Sequence, residues 1–110
     1  MFARFKPLVA LSALIFAFSA QASDLSAVAD NLGVAEKTLE LNVVPFSEVS
    51  TWARPTSDTG AYAARYQALK DAVDEGGGTL VRFTYHGGPI VEGYALVRDD
   101  VVVVRLITIH

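Results

Sequence analysis

Residues 79–109 read TLVRFTYHGGPIVEGYALVRDDVVVVRLITI, and the fold turns on how this stretch is divided. Three runs, Thr79–His86, Ile90–Val97 and Val101–Ile109, are rich in β-branched and aromatic residues. Gly87-Gly88-Pro89 and Asp99-Asp100 separate them, and both links are turn chemistry. An antiparallel meander is predicted. A three-residue first loop pairs His86 with Ile90, and a two-residue second loop pairs Arg98 with Val101. Carrying parity along the strands, one face collects Val81, Phe83, Tyr85, Val91, Gly93, Ala95, Val97, Val102, Val104 and Leu106. Gly93 falls beside Phe83, a small residue leaving room for a ring. A slip of one residue would bury Arg82 or Glu92, so this register is strongly preferred.

The same register places Arg82, Tyr94 and Arg105 side by side on the opposite face, with Glu92 and Thr84 one row away. Two guanidiniums flanking a phenol ring suit cation–π contact and can grip a carboxylate, a phosphate or a sulfated sugar. The bland reading is a cross-strand ladder, each pair contributing about 0.2–1 kcal/mol. Ile90, Leu96, Val103 and Ile107 share this face, so either the first helix covers part of it or it meets a partner. Val101–Ile109 is apolar on both faces around Arg105, which is typical of a sheet interior and hazardous at an open edge. The expected neighbour is Thr38–Val44, giving strand order 2-3-4-1. The alternative is an open edge that pairs with a second copy of the chain, a homodimer.

Upstream of the meander, Tyr62, Tyr66, Leu69 and Val73 share one face of a helix predicted from about Thr59 to Glu75. Ser57 or Asp58 can cap its start and Gly76 its end. Asp71, Asp74 and Glu75 sit unfavourably at its negative end, with Lys70 placed to offset Asp74. Phe46–Thr59 reads as a loop with Trp52 tucked against the core. Leu39, Leu41 and Val43 alternate with Glu40, Asn42 and Val44 in a strand closed by Pro45. Leu25, Val28, Ala29 and Leu32 mark a short helix that Gly33 ends. The expected class is α+β: a short N-terminal helix, then β-α-β-β-β, with the meander's apolar face received by the second helix.

The N-terminus has the form of an export signal. Arg4 and Lys6 precede an apolar segment from Pro7 to Phe18, and Ala20-Gln21-Ala22 supplies the small-x-small pattern of a cleavage site. The apolar run is shorter than the roughly 20 residues a membrane-spanning helix needs. The expectation is a Sec-type signal over residues 1–22, cleaved after Ala22, and a single domain over residues 23–110 in the periplasm or secreted from a bacterium. Taking 22 residues from 110 leaves 88; taking Arg4 and Lys6 from nine basic residues leaves seven against 12 acidic, net −5. Such a charge disfavours nucleic-acid binding, which draws its affinity from Lys and Arg on phosphates. There is no cysteine, so no disulfide can supplement the core of this small domain.

The remaining motifs carry little chemistry. His86 and His110 lie at the same end of the meander but on opposite faces, and zinc needs three or four converging ligands. No nucleophile elbow accompanies either histidine. Gly76-Gly77-Gly78 runs from helix into strand, the reverse of a phosphate loop. The acidic cluster at the end of the second helix lacks the turn of a cation loop. Leu25–Thr38 has the outline of a helix-turn-helix, but its second helix would run into strand-like alternation with one lysine. Tyr66–Arg98, with Leu69, Lys70 and Ala72 on a helix, Gly76, a hairpin and the strand Tyr94-Ala95-Leu96-Val97-Arg98, resembles small exported bacterial stress proteins. Val101–Ile109 departs from that layout. The resemblance implies envelope stress or surface adhesion.

The expected function is a small non-enzymatic binding or accessory protein of the cell envelope. It would use Arg82, Tyr94 and Arg105, with Glu92 nearby, toward an envelope protein or an anionic envelope component, without a cofactor or nucleic acid. Two alternatives stand beside it: a small periplasmic enzyme with Glu92 or His86 as general base, and an envelope stress protein that self-assembles through its last strand.

Overall fold

A computed structural model describes residues 20–109. Residues 1–19, which carry most of the expected signal, and His110 lie outside the described residues. The order of elements is α1 (Ala22–Leu32), a 3₁₀ turn (Glu36–Thr38), β1 (Leu39–Val43), α2 (Phe46–Trp52), α3 (Ala61–Glu75), β2 (Thr79–Tyr85), β3 (Val91–Arg98) and β4 (Val101–Ile109). The four strands form one antiparallel sheet, and the class is α+β.

The helix ends follow local chemistry. The Gln21 backbone N–H donates to Asp24 Oδ2 at the start of α1. Gly33, at φ 71°, closes α1 in the left-handed conformation, and Val34 N–H reaches back to the Ala29 carbonyl. Ser57 does not cap α3; its hydroxyl accepts from Thr59 N–H in a local turn, and Gly60 occupies the cap position. The unfavourable negative end of α3 is relieved by Arg98, whose Nη2 donates to the carbonyls of Ala72 and Gly76, and by Lys70 against Asp74.

The strand order is β1-β2-β3-β4, so β1 lies beside β2 and not beside β4. The expected 2-3-4-1 order is corrected, and the pairing shows why. Leu39, Leu41 and Val43 sit opposite Tyr85, Phe83 and Val81, and Glu40 and Asn42 sit opposite Thr84 and Arg82. Both strands are apolar on one face and polar on the other, so they match each other. β4 meets α1 on one face and α3 on the other, but only Leu106 is buried, and Val101, Val103 and Ile109 are exposed.

Two cores result. Val81, Phe83, Ala95 and Val97 pack under α1 through Ala27, Val28 and Ala29. Leu80, Tyr94, Leu96 and Leu106 pack under α3 through Tyr66, Leu69 and Ala72, joined by Val49 of α2. The face expected to receive the second helix therefore receives the first. The segment expected as a loop contains α2, with Val49 fully buried and Trp52 80% exposed rather than tucked against the core.

Candidate functional site

The β2–β3 register keeps Arg82 opposite Tyr94, Phe83 opposite Gly93 and Thr84 opposite Glu92. The β3–β4 register begins as expected, with Arg98 opposite Val101 and Val97 opposite Val102. It then shifts. Leu96 faces Val104, which leaves Val103 as an extra residue, and a second shift leaves Thr108 extra between Ile107 and Ile109. After the first bulge every β4 side chain up to Ile107 changes face. Leu106 comes to lie opposite Tyr94, and Arg105 opposite Ala95 on the α1 side. The predicted row Arg82–Tyr94–Arg105 is thus broken: two members remain paired and the third is on the far side of the sheet.

Glu48 of α2 takes the third place. Its Oε2 accepts from Arg82 Nη1 at 2.7 Å and from the Tyr94 hydroxyl at 3.1 Å. Tyr94 is almost wholly buried, and its hydroxyl is pushed up to about 12, first by burial and then by the adjacent carboxylate, with Arg82 opposing. The cluster is an internal clasp between α2 and the sheet. A guanidinium that already holds a carboxylate has little left for an external anion. Glu92 stands across from Thr84, and its carbonyl accepts from the Thr108 hydroxyl. His86 Nε2 lies 3.4 Å from Glu40 Oε1 on an open surface. Glu92 keeps its expected place one row from Arg82, and His86 lies instead beside Glu40. Among the described residues, no three His, Asp or Glu side chains are grouped to hold a metal.

Arg105 belongs to a different place. Its Nη1 donates to Asn31 Oδ1 at 2.7 Å and to the Asn31 carbonyl at 3.4 Å, tying β4 to the end of α1. Its Nε is buried without an acceptor among the described residues. Arg65, exposed on α3, approaches the same region from the opposite helical layer. The two arginines together line two adjoining cavities of about 670 and 370 Å³. The larger takes apolar walls from Leu32, Tyr62, Tyr85 and Ile107; the smaller continues along Val102–Arg105 to Asn31. A third, of about 240 Å³, shares Asn31 and Val102 and ends between Asp30 and Asp100. Because consecutive cavities share residues, they make one groove along β4. Residues of both helical layers line it, so it passes over the strand's free edge.

No carboxylate lies within ion-pair distance of Arg65 or Arg105 among the described residues, whereas Lys70, Arg82 and Arg98 each have one. Two arginines without a countercharge, beside tyrosine rings and an apolar wall, are suited to a carboxylate or phosphate carried on an apolar or extended ligand. The site was missed in sequence for two reasons. The bulge that moves Arg105 has no signature in a run of four valines, and Arg65 is distant in the chain. α2 did leave a signal, since Phe46, Val49 and Ala53 recur at helical spacing after Pro45.

No family model, curated protein or solved structure matches the chain. Among the described residues no helix is long and apolar enough to cross a membrane.

Proposed function

We propose that this chain is an exported, non-enzymatic binding or accessory module of the bacterial cell envelope, which captures an anionic partner in the groove along β4. The observation that carries the reading is the pair Arg65 and Arg105, without a carboxylate in ion-pair distance among the described residues and set together in a groove of ligand-binding size. The export half of the proposal rests on the sequence of residues 1–22.

The test is site-specific photo-cross-linking in cells. A photoreactive phenylalanine analogue replaces Val103 in the groove and, as control, Gln67 on the exposed face of α3. The expected result is a cross-linked product in the envelope fraction from position 103 only, lost when Arg65 and Arg105 are both changed to Ala. A product that survives the double change, or a chain retained in the cytoplasm with the Ala22–Ser23 bond intact, would overturn the proposal.

A second reading, self-assembly through the last strand, is favoured by one observation: among the described residues β4 has no strand beside its outer edge. Light scattering that stays monomeric as concentration rises excludes it.

A further inference from the structure

β4 is an edge strand of nine residues, and no other element's backbone hydrogen-bonds to its outer side among the described residues. Its exposed apolar side chains, Val101, Val103 and Ile109, lie along the same edge. An uncovered apolar edge invites pairing with another chain, and proteins commonly blunt such edges with bulges and charges. Both devices are present here, but they leave one regular stretch. The bulges fall at Val103 and Thr108, so Val104–Ile107 forms an unbroken segment between them, with Arg105 inside it. Its residues Arg105, Leu106 and Ile107 line the cavity of about 670 Å³.

Resting on the binding role proposed above, we infer that the groove accepts an extended peptide segment of another protein, added antiparallel or parallel to Val104–Ile107 as a fifth strand. A carboxylate side chain of the peptide lies between Arg65 and Arg105. Main-chain hydrogen bonds along the free edge supply the affinity common to such additions, and the side-chain pockets supply selection. Charge selects the occupant. Arg65 and Arg105 stand ready for an acidic side chain, and the Tyr85 and Ile107 end of the groove suits an apolar one. The other end, between Asp30 and Asp100, repels a second acidic residue. A second copy of this chain fits worse, because pairing through this segment would bring two Arg105–Arg65 sets together.

A random nonapeptide display library panned against the full chain tests this, with the enriched peptides then synthesised. Enriched sequences are expected to carry one Asp or Glu among β-branched or aromatic residues. Changing that acid to its amide should weaken binding about tenfold, the loss of one charge-assisted contact. N-methylation of one alternate set of peptide amides should abolish binding while the other set is tolerated, and the bound peptide should slow amide exchange within Val104–Ile107. The variant Arg65→Glu, on an exposed side chain, should reverse the preference toward lysine at the acid's position. Enrichment without an acid, equal tolerance of both methylated sets, or no protected β4 amides overturns the inference. So does binding of acetate or inorganic phosphate alone as tightly as the peptides. Arginine-dependent cross-linking in cells alongside any of these failures leaves a non-peptide anion as the ligand, which separates this inference from the binding role itself. Concentration-dependent self-association that protects the same amides without peptide identifies a second copy as the occupant and overturns it as well.

Discussion

The Glu48 carboxylate oxygen that accepts from both Arg82 and Tyr94 ties a seven-residue helix to the sheet across 34 and 46 positions of chain. Half-exposed ion pairs contribute little, but a hydrogen bond to a charged group inside a partly buried cluster contributes more. Glu48→Gln is expected to lower stability by about 1 kcal/mol in urea unfolding, since Arg82 keeps its water-facing side while Tyr94 loses a charged acceptor. The tyrosine gives this cluster a pH signature. Its folded-state value near 12 lies above the ordinary 10, so between those values the native state holds a proton that the unfolded chain has released. Tyr94 therefore contributes stability that is complete below about pH 10 and is lost as pH rises toward 12. Tyr62, raised by burial and then by Tyr66, acts in the same direction. Titrating tyrosinate absorbance should show a late step that Tyr94→Phe removes. An unchanged step would assign it elsewhere.

Gly93 and the two bulges set the behaviour of the strands. A Cβ at Gly93 would overlap the Leu106 carbonyl and stand 2.9 Å from the Phe83 ring, both fixed by the core. Gly93→Ala is expected to cost about 1–3 kcal/mol, read as a lowered melting temperature, the usual penalty of overpacking a filled core. Asp99 and Asp100 both have positive φ, 54° and 64°, as the tight two-residue hairpin turn requires. Asp100→Gly should stabilise by up to about 1 kcal/mol, because glycine adopts that conformation without a Cβ penalty. Deleting Val103 is the sharpest probe of the bulge. Without it Val104 follows Val102 in a regular ladder, Arg105 stays opposite Ala95 and Leu106 opposite Tyr94, and the chain should keep cooperative unfolding, which a urea melt would check.

These elements also show what could be read in advance. The β2–β3 register, the Asp99-Asp100 turn and the Gly93–Phe83 fit are encoded within a few residues of one another, so they were legible. The run of β4 was legible as apolar on both faces around Arg105, yet only Leu106 of it is buried. Whether strands or helices flank it was not legible, because either neighbour satisfies the same side chains. Alternation along β4 cannot reveal a bulge when the residues on both sides of it are valine, and the predicted binding row failed on that one inserted position.

At the scale of the whole molecule, the sheet is a thin layer between two helical layers, and neither core survives alone. Removing α1 by starting the chain at Val34 would uncover Val81, Phe83, Ala95 and Val97, each worth roughly 1–3 kcal/mol of burial. That sum matches or exceeds the stability of a small domain, so the truncated chain should bind a hydrophobic dye and fail to unfold cooperatively. A chain starting at Ser23, as cleavage after Ala22 would leave it, retains all of α1 but its first residue and should fold. Retained cooperativity in the first variant would show that α1 is peripheral.

The sequence by itself determined the α+β class, the meander, both hairpin links and the closing glycine of the first helix. Each depends on φ preference, period-two patterning or turn chemistry, which act between residues close in the chain. Only the tertiary structure decided where β1 pairs, which helix covers which face, and which charges meet. Glu48 takes Arg82 from a distance, and a bulge carries Arg105 through the sheet to Asn31 and the groove it shares with Arg65. Packing two helical layers against one twisted sheet fixes those distances, and no local preference encodes them.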